Sequence, residues 1–123
     1  MPDSFAIAQV APRALEEFND VGTFASELSR ELAGRGHRVL LLAPSRSPEL
    51  VRESRKLIRA ARENPETLFD PDGGVRVLGV GELLPLQRRG GLPAPPVEVA
   101  RTLEEVLTFA PLDLVHVHEP FAP

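Results

Sequence analysis

The chain is predicted to be α/β: a Rossmann-like, doubly wound parallel sheet. Three observations lead there. Short apolar runs of strand length alternate with segments of helical periodicity along the whole of the 123 residues. The runs are nearly all apolar rather than alternating, as strands buried on both faces are. The last run, Asp113 to Pro120, ends in two histidines and a glutamate, and polar side chains at the C-terminal end of a strand are what an open α/β sheet uses to build a crevice.

Phe5-Ala6-Ile7-Ala8-Gln9-Val10-Ala11 is the first strand, stopped by Pro12. After a polar segment, Val21, Phe24, Ala25, Leu28 and Leu32 mark one face of a helix with Asn19 or Asp20 as its N-cap and Gly34 and Gly36 at its end. Arg38 to Ala43 is the clearest buried strand, closing a βαβ unit. From Ser47 to Glu63, Leu50, Ser54, Leu57, Ile58 and Ala61 share an inward face. Arg52, Arg55, Lys56, Arg59 and Arg62 form a basic stripe opposite. That stripe reads either as a solvated face paired to Glu49 and Glu53 or as a surface resting on an anionic membrane. Asn64-Pro65 ends the helix, Asp70 to Gly74 is a turn cluster, and Val75 to Val80 is a third strand. Gly81 to Pro96 holds four prolines and reads as an irregular loop. Val99, Leu103, Val106, Leu107 and Ala110 then face inward on a last helix, ended by Pro111 before the fourth strand. The expected strand order, 3-2-1-4, brings the loop after strand one beside the end of strand four. Strand four would be an open edge, so the chain is expected to be incomplete after it, a piece of a longer protein.

Composition narrows the partners. A net charge of −4 and the absence of Trp and Tyr argue against a nucleic-acid partner. No cysteine is present, so thiolate metal sites and thiol nucleophiles are excluded. No basic-then-apolar leader opens the chain, and no apolar run approaches the ~18 residues of a membrane span. Cytoplasm is the expected compartment, with the basic stripe able to meet the inner face of the membrane. A dinucleotide-binding domain would carry G-x-G-x-x-G after the first strand, whereas Gly79 and Gly81 follow the third. A phosphoacceptor receiver would end strand three in aspartate, where Val80 stands. His116 and His118, two apart on a strand, share a face, yet no third metal ligand lies nearby. A packed His116 and a site His118 are expected instead, with His37 serving the helix-to-strand turn.

Three stretches carry a family resemblance: Ala6 to Pro12, Glu27 to Val39 with its Arg35-Gly36-His37, and Asp113-Leu114-Val115-His116-Val117-His118-Glu119-Pro120. In this order the chain resembles the N-terminal domain of family 4 retaining glycosyltransferases, which have the two-domain GT-B fold. It is similar to bacterial mannosyltransferases that act on lipid-linked acceptors. The resemblance implies that residues 1–123 are a partial acceptor-side domain of a hexosyltransferase. A nucleotide-sugar donor would be gripped mostly by a C-terminal domain, and no cofactor would be needed. By the same resemblance His118 is the catalytic residue and Asn19, Asp20, Gly22, Thr23 and Glu119 bind substrate. One departure stands out. The family usually has Gly-Gly where this chain has Asn19-Asp20, and a carboxylate capping the helix would repel a diphosphate. A non-catalytic Rossmann-like binding or interaction module is the alternative reading.

Overall fold

A computed structural model describes residues 4–11, 20–81 and 97–118. The elements in order are β1 (Ala6–Val10), α1 (Asp20–Gly34), β2 (Arg38–Ser45), α2 (Pro48–Ala61), a 3-10 turn (Pro65–Leu68), β3 (Val75–Gly81), α3 (Val97–Phe109) and β4 (Leu114–Val117). The four strands form one parallel sheet in the order β3-β2-β1-β4, the expected 3-2-1-4. The predicted α/β doubly wound architecture is therefore the observed one.

Strand periodicity divides the core into two layers. Ala6, Ala8 and Val10 of β1, Leu40 and Leu42 of β2, and Leu78 and Val80 of β3 pack with Ile58 and Ala61 of α2 and Val106 and Ala110 of α3. Leu41 and Ala43 of β2 join Ala11 beside Ala25 of α1, with Val75 and Val77 against them. Every residue of β1 is buried, as a central strand covered on both faces must be.

Local chemistry sets the element ends. α1 closes in a Schellman motif: His37 N–H bonds to Leu32 O at 3.2 Å and Gly36 N–H to Ala33 O at 3.0 Å. Gly36 sits at φ +93°, a conformation that costs a residue with a Cβ roughly 1–2 kcal/mol. His37 then accepts the Phe5 N–H on Nδ1 at 3.1 Å and stacks on the Phe5 ring, the structural task expected of it. α2 begins at Ser47, whose hydroxyl accepts the Leu50 N–H at 3.2 Å, with Pro48 in the first turn. Asp113 fastens β4 to β1 twice over. Its carboxylate accepts the Ala6 N–H at 2.8 Å, and its own N–H bonds to Ala6 O at 2.8 Å.

Some expectations are corrected. Phe24 is 58% exposed and Leu107 46%, so neither belongs to the inward face assigned to it. Leu68 of the 3-10 turn and Phe69 just after it, where only a helix end was expected, are fully core. The loop expected after Gly81 lies, from residue 82 to 96, outside the described residues. Both sheet edges differ in their cover. At one end α2 flanks β3, and Ser54 Oγ accepts the Gly79 N–H at 2.8 Å. At the other, Leu114 and Val117 of β4 stay exposed.

Candidate functional site

The ends of β1 and β4 meet the second turn of α1, and three side chains converge there. Gln9 and His116 are register partners in the β1–β4 ladder. His118 extends that ladder by one step, its N–H bonding to Val10 O at 2.8 Å. Side chains two apart on a strand share a face, so Gln9, His116 and His118 all point to the layer of α1. His118 Nε2 lies 2.6 Å from Gln9 Oε1. Its ring stands 4.0 Å from that of His116, tilted by 33°. Phe24 meets it edge-on at 5.9 Å.

The burial of the two histidines is the reverse of what their neighbours in sequence imply. His118 is buried and His116 is exposed, so the packed role expected of His116 is not observed. Phe24 of α1 packs edge-on beside the His118 ring while itself staying exposed. Gln9 was not singled out by its sequence, although a lone amide in a strand buried on both faces is a signal: such a group needs a partner.

The electrostatics follow. Burial holds the His118 imidazole below its ordinary value, and the charge on His116 beside it lowers it further. Both causes favour the neutral form of the ring. With Gln9 Oε1 facing it, Nε2–H donates and Nδ1 carries the lone pair. A neutral imidazole held in one tautomer can accept a hydrogen bond from a hydroxyl or lie against a sugar ring.

The remaining predicted residues are placed as follows. Asp20 and Gly22 fall in the first turn of α1, with Thr23 exposed just before Phe24. Asn19 and Glu119 lie outside the described residues. Among the described residues no group of three or more His, Cys, Asp or Glu could hold a metal ion. No helix among them is long and apolar enough to cross a membrane. On α2 and at its C-terminal cap, Arg52, Arg55, Lys56, Arg59 and Arg62 are all exposed, as the stripe requires. Lys56 pairs with Glu53 at 3.6 Å and Arg62 with Glu105 of α3.

Comparison with known proteins gives one family. The glycosyl transferase 4-like domain matches residues 21–123. No curated protein and no solved structure matches the chain.

Proposed function

Since the chain belongs to the glycosyl transferase 4-like domain family, we propose that it is the acceptor-side, N-terminal half of a retaining GT-B enzyme. The reaction is transfer of a hexose, mannose foremost, from a nucleotide-sugar donor to a hydroxyl of a lipid or saccharide acceptor. The observation that carries this reading is the buried His118, held 2.6 Å from Gln9 at the end of β4. It stands where β4 adjoins β1, the switch point at which open α/β sheets place their ligands.

In the proposed transfer the acceptor oxygen bonds to the anomeric carbon as the bond to the diphosphate breaks. The acceptor proton passes to the departing diphosphate. His118 then need not be the base. Its uncommitted ring edge holds the sugar, and its dipole meets charge that develops as the bond breaks. Asn19, Asp20, Gly22 and Thr23 would form the opposite wall, with Glu119 orienting an acceptor hydroxyl. A second domain would supply most donor contacts, and no cofactor takes part. The proposed location is the cytoplasm, with the basic face of α2 resting on the inner face of the membrane when the acceptor is a lipid.

The test is made in the two-domain enzyme. His118→Ala is expected to lower kcat by roughly 10²-fold while the protein stays folded. Near-normal kcat and KM would show that the strand end is not the site. Residues 1–123 alone are expected to transfer no sugar, because a GT-B site is completed by both domains. Turnover by them alone would favour a different chemistry, and saturable ligand binding without turnover in the two-domain protein would favour a binding module.

A further inference from the structure

At the opposite edge of the sheet from His118, a groove of about 360 Å³ opens between α2 and α3 above the end of β3. Its walls carry Arg55 and Arg59 from α2, Arg62 just past its end, and Arg101, Thr102 and Glu105 from α3. The groove is thus lined largely by arginines, in a chain whose net charge is −4. Glu105 is already engaged by Arg62. Arg55 and Arg59 have no hydrogen-bond or ion-pair partner among the described residues. Like charges gathered around a concavity repel one another, and an anion that enters relieves the repulsion.

The floor points the same way. β3 ends in Gly79-Val80-Gly81, all three lining the groove. Gly79 has a packing reason, since an added Cβ would come within 2.8 Å of Ser45 Cβ. Gly81 has none of that kind: its Cβ would make only ordinary contacts, 3.4 Å to Val51 Cγ1 and 3.6 Å to Arg55 Nη2. A bare backbone at a strand end beside an arginine lets a ligand approach closely.

We propose that this groove binds a phosphate-bearing group, a phosphomonoester or a diphosphate, through Arg55 and Arg59. Guanidinium forks match phosphate oxygens in pairs, and Thr102 adds a hydroxyl donor on the facing wall. The volume suits a phosphorylated small molecule or one lipid headgroup. β1 and β2 separate β3 from β4, so this site is distinct from the His118 crevice and does not depend on the transferase reading.

The probe is inorganic pyrophosphate, titrated calorimetrically into the full chain. Saturable binding is expected, weakened by about tenfold or more in Arg55→Gln/Arg59→Gln at unchanged Tm. Arg52→Gln/Lys56→Gln removes the same charge from α2 outside the groove and is expected to change affinity by less than about twofold. Vesicles of phosphatidylcholine with and without phosphatidic acid identify the source of the phosphate. Co-sedimentation that pyrophosphate competes away assigns a lipid headgroup, whereas pyrophosphate binding without co-sedimentation assigns a soluble ligand. Equal losses in the two double variants, or no binding of either probe, overturn the proposal.

Discussion

His118 Nε2 and Gln9 Oε1 lie 2.6 Å apart, and both side chains are buried. The pair ties the end of an edge strand to the middle of the sheet. It also fixes which nitrogen of the ring carries the proton. Replacing Gln9 by Leu keeps the volume and removes the acceptor, leaving a buried N–H without a partner. Such a loss costs roughly 1–3 kcal/mol. Urea unfolding of Gln9→Leu is expected to show a fall of that size, and an unchanged midpoint would mean the pair contributes nothing.

The same pair sets a pH dependence. Burial, with His116 beside it, holds the folded His118 below its ordinary value near 6.5. The unfolded chain therefore takes up a proton first as the pH falls. Stability from this residue is complete above about 6.5 and is lost as the pH drops through the lower, folded value. Thermal midpoints measured from pH 7.5 down to pH 5 should fall, and the fall should be smaller in His118→Gln. Parallel curves for the two proteins would contradict this linkage.

His116 is expected to matter little to the fold. It is exposed, and surface substitutions away from special features change stability by about 0.5 kcal/mol or less. His116→Ala should unfold at nearly the wild-type denaturant concentration. Its absence should also raise the His118 value towards normal, since one of the two causes of the shift is removed. Titration of the His118 ring protons by NMR in His116→Ala reads this directly.

Much of the fold was legible because it rests on period and punctuation. Apolar runs and Pro111 mark strands and a helix end, and the order β3-β2-β1-β4 follows from the alternation, although Pro44, which looks like the stop of β2, lies inside it opposite Val80. The inward place of Ser54 was legible from helical spacing. Leu68 and Phe69 were not, because a 3-10 turn of four residues has too few positions to show a period. The two histidines show a different limit. A period of two says that His116 and His118 share a face, but not how far along the strand the covering element reaches. Phe24, whose helical spacing made it look like core, stays exposed beside the His118 ring. Gln9 escaped notice for a related reason: its partner lies 109 positions away in sequence.

Ser54 offers the sharpest test of how the β3 edge is closed. An edge strand presents unpaired N–H and C=O groups and invites association unless something covers them. Here the cover is α2, and one of its hydroxyls pairs with the strand's backbone. Ser54 Oγ donates to Leu50 O at 2.7 Å, one turn back, which orients its lone pairs. It then accepts the buried Gly79 N–H at 2.8 Å. Ser54→Ala keeps a small side chain in a site that is 1% exposed, so packing changes little. What is lost is the acceptor, and the stranded Gly79 N–H should cost about 1–3 kcal/mol. Ser54→Cys restores a side-chain atom of the right reach but only a weak acceptor, so it should recover little of the loss. Denaturant unfolding gives the magnitudes, and amide exchange at Gly79 gives the cause. Faster exchange at Gly79 in Ser54→Ala, with β1 and β2 unchanged, is the expected signature. Wild-type exchange at Gly79 in that variant would show that the helix, not the hydroxyl, protects the edge.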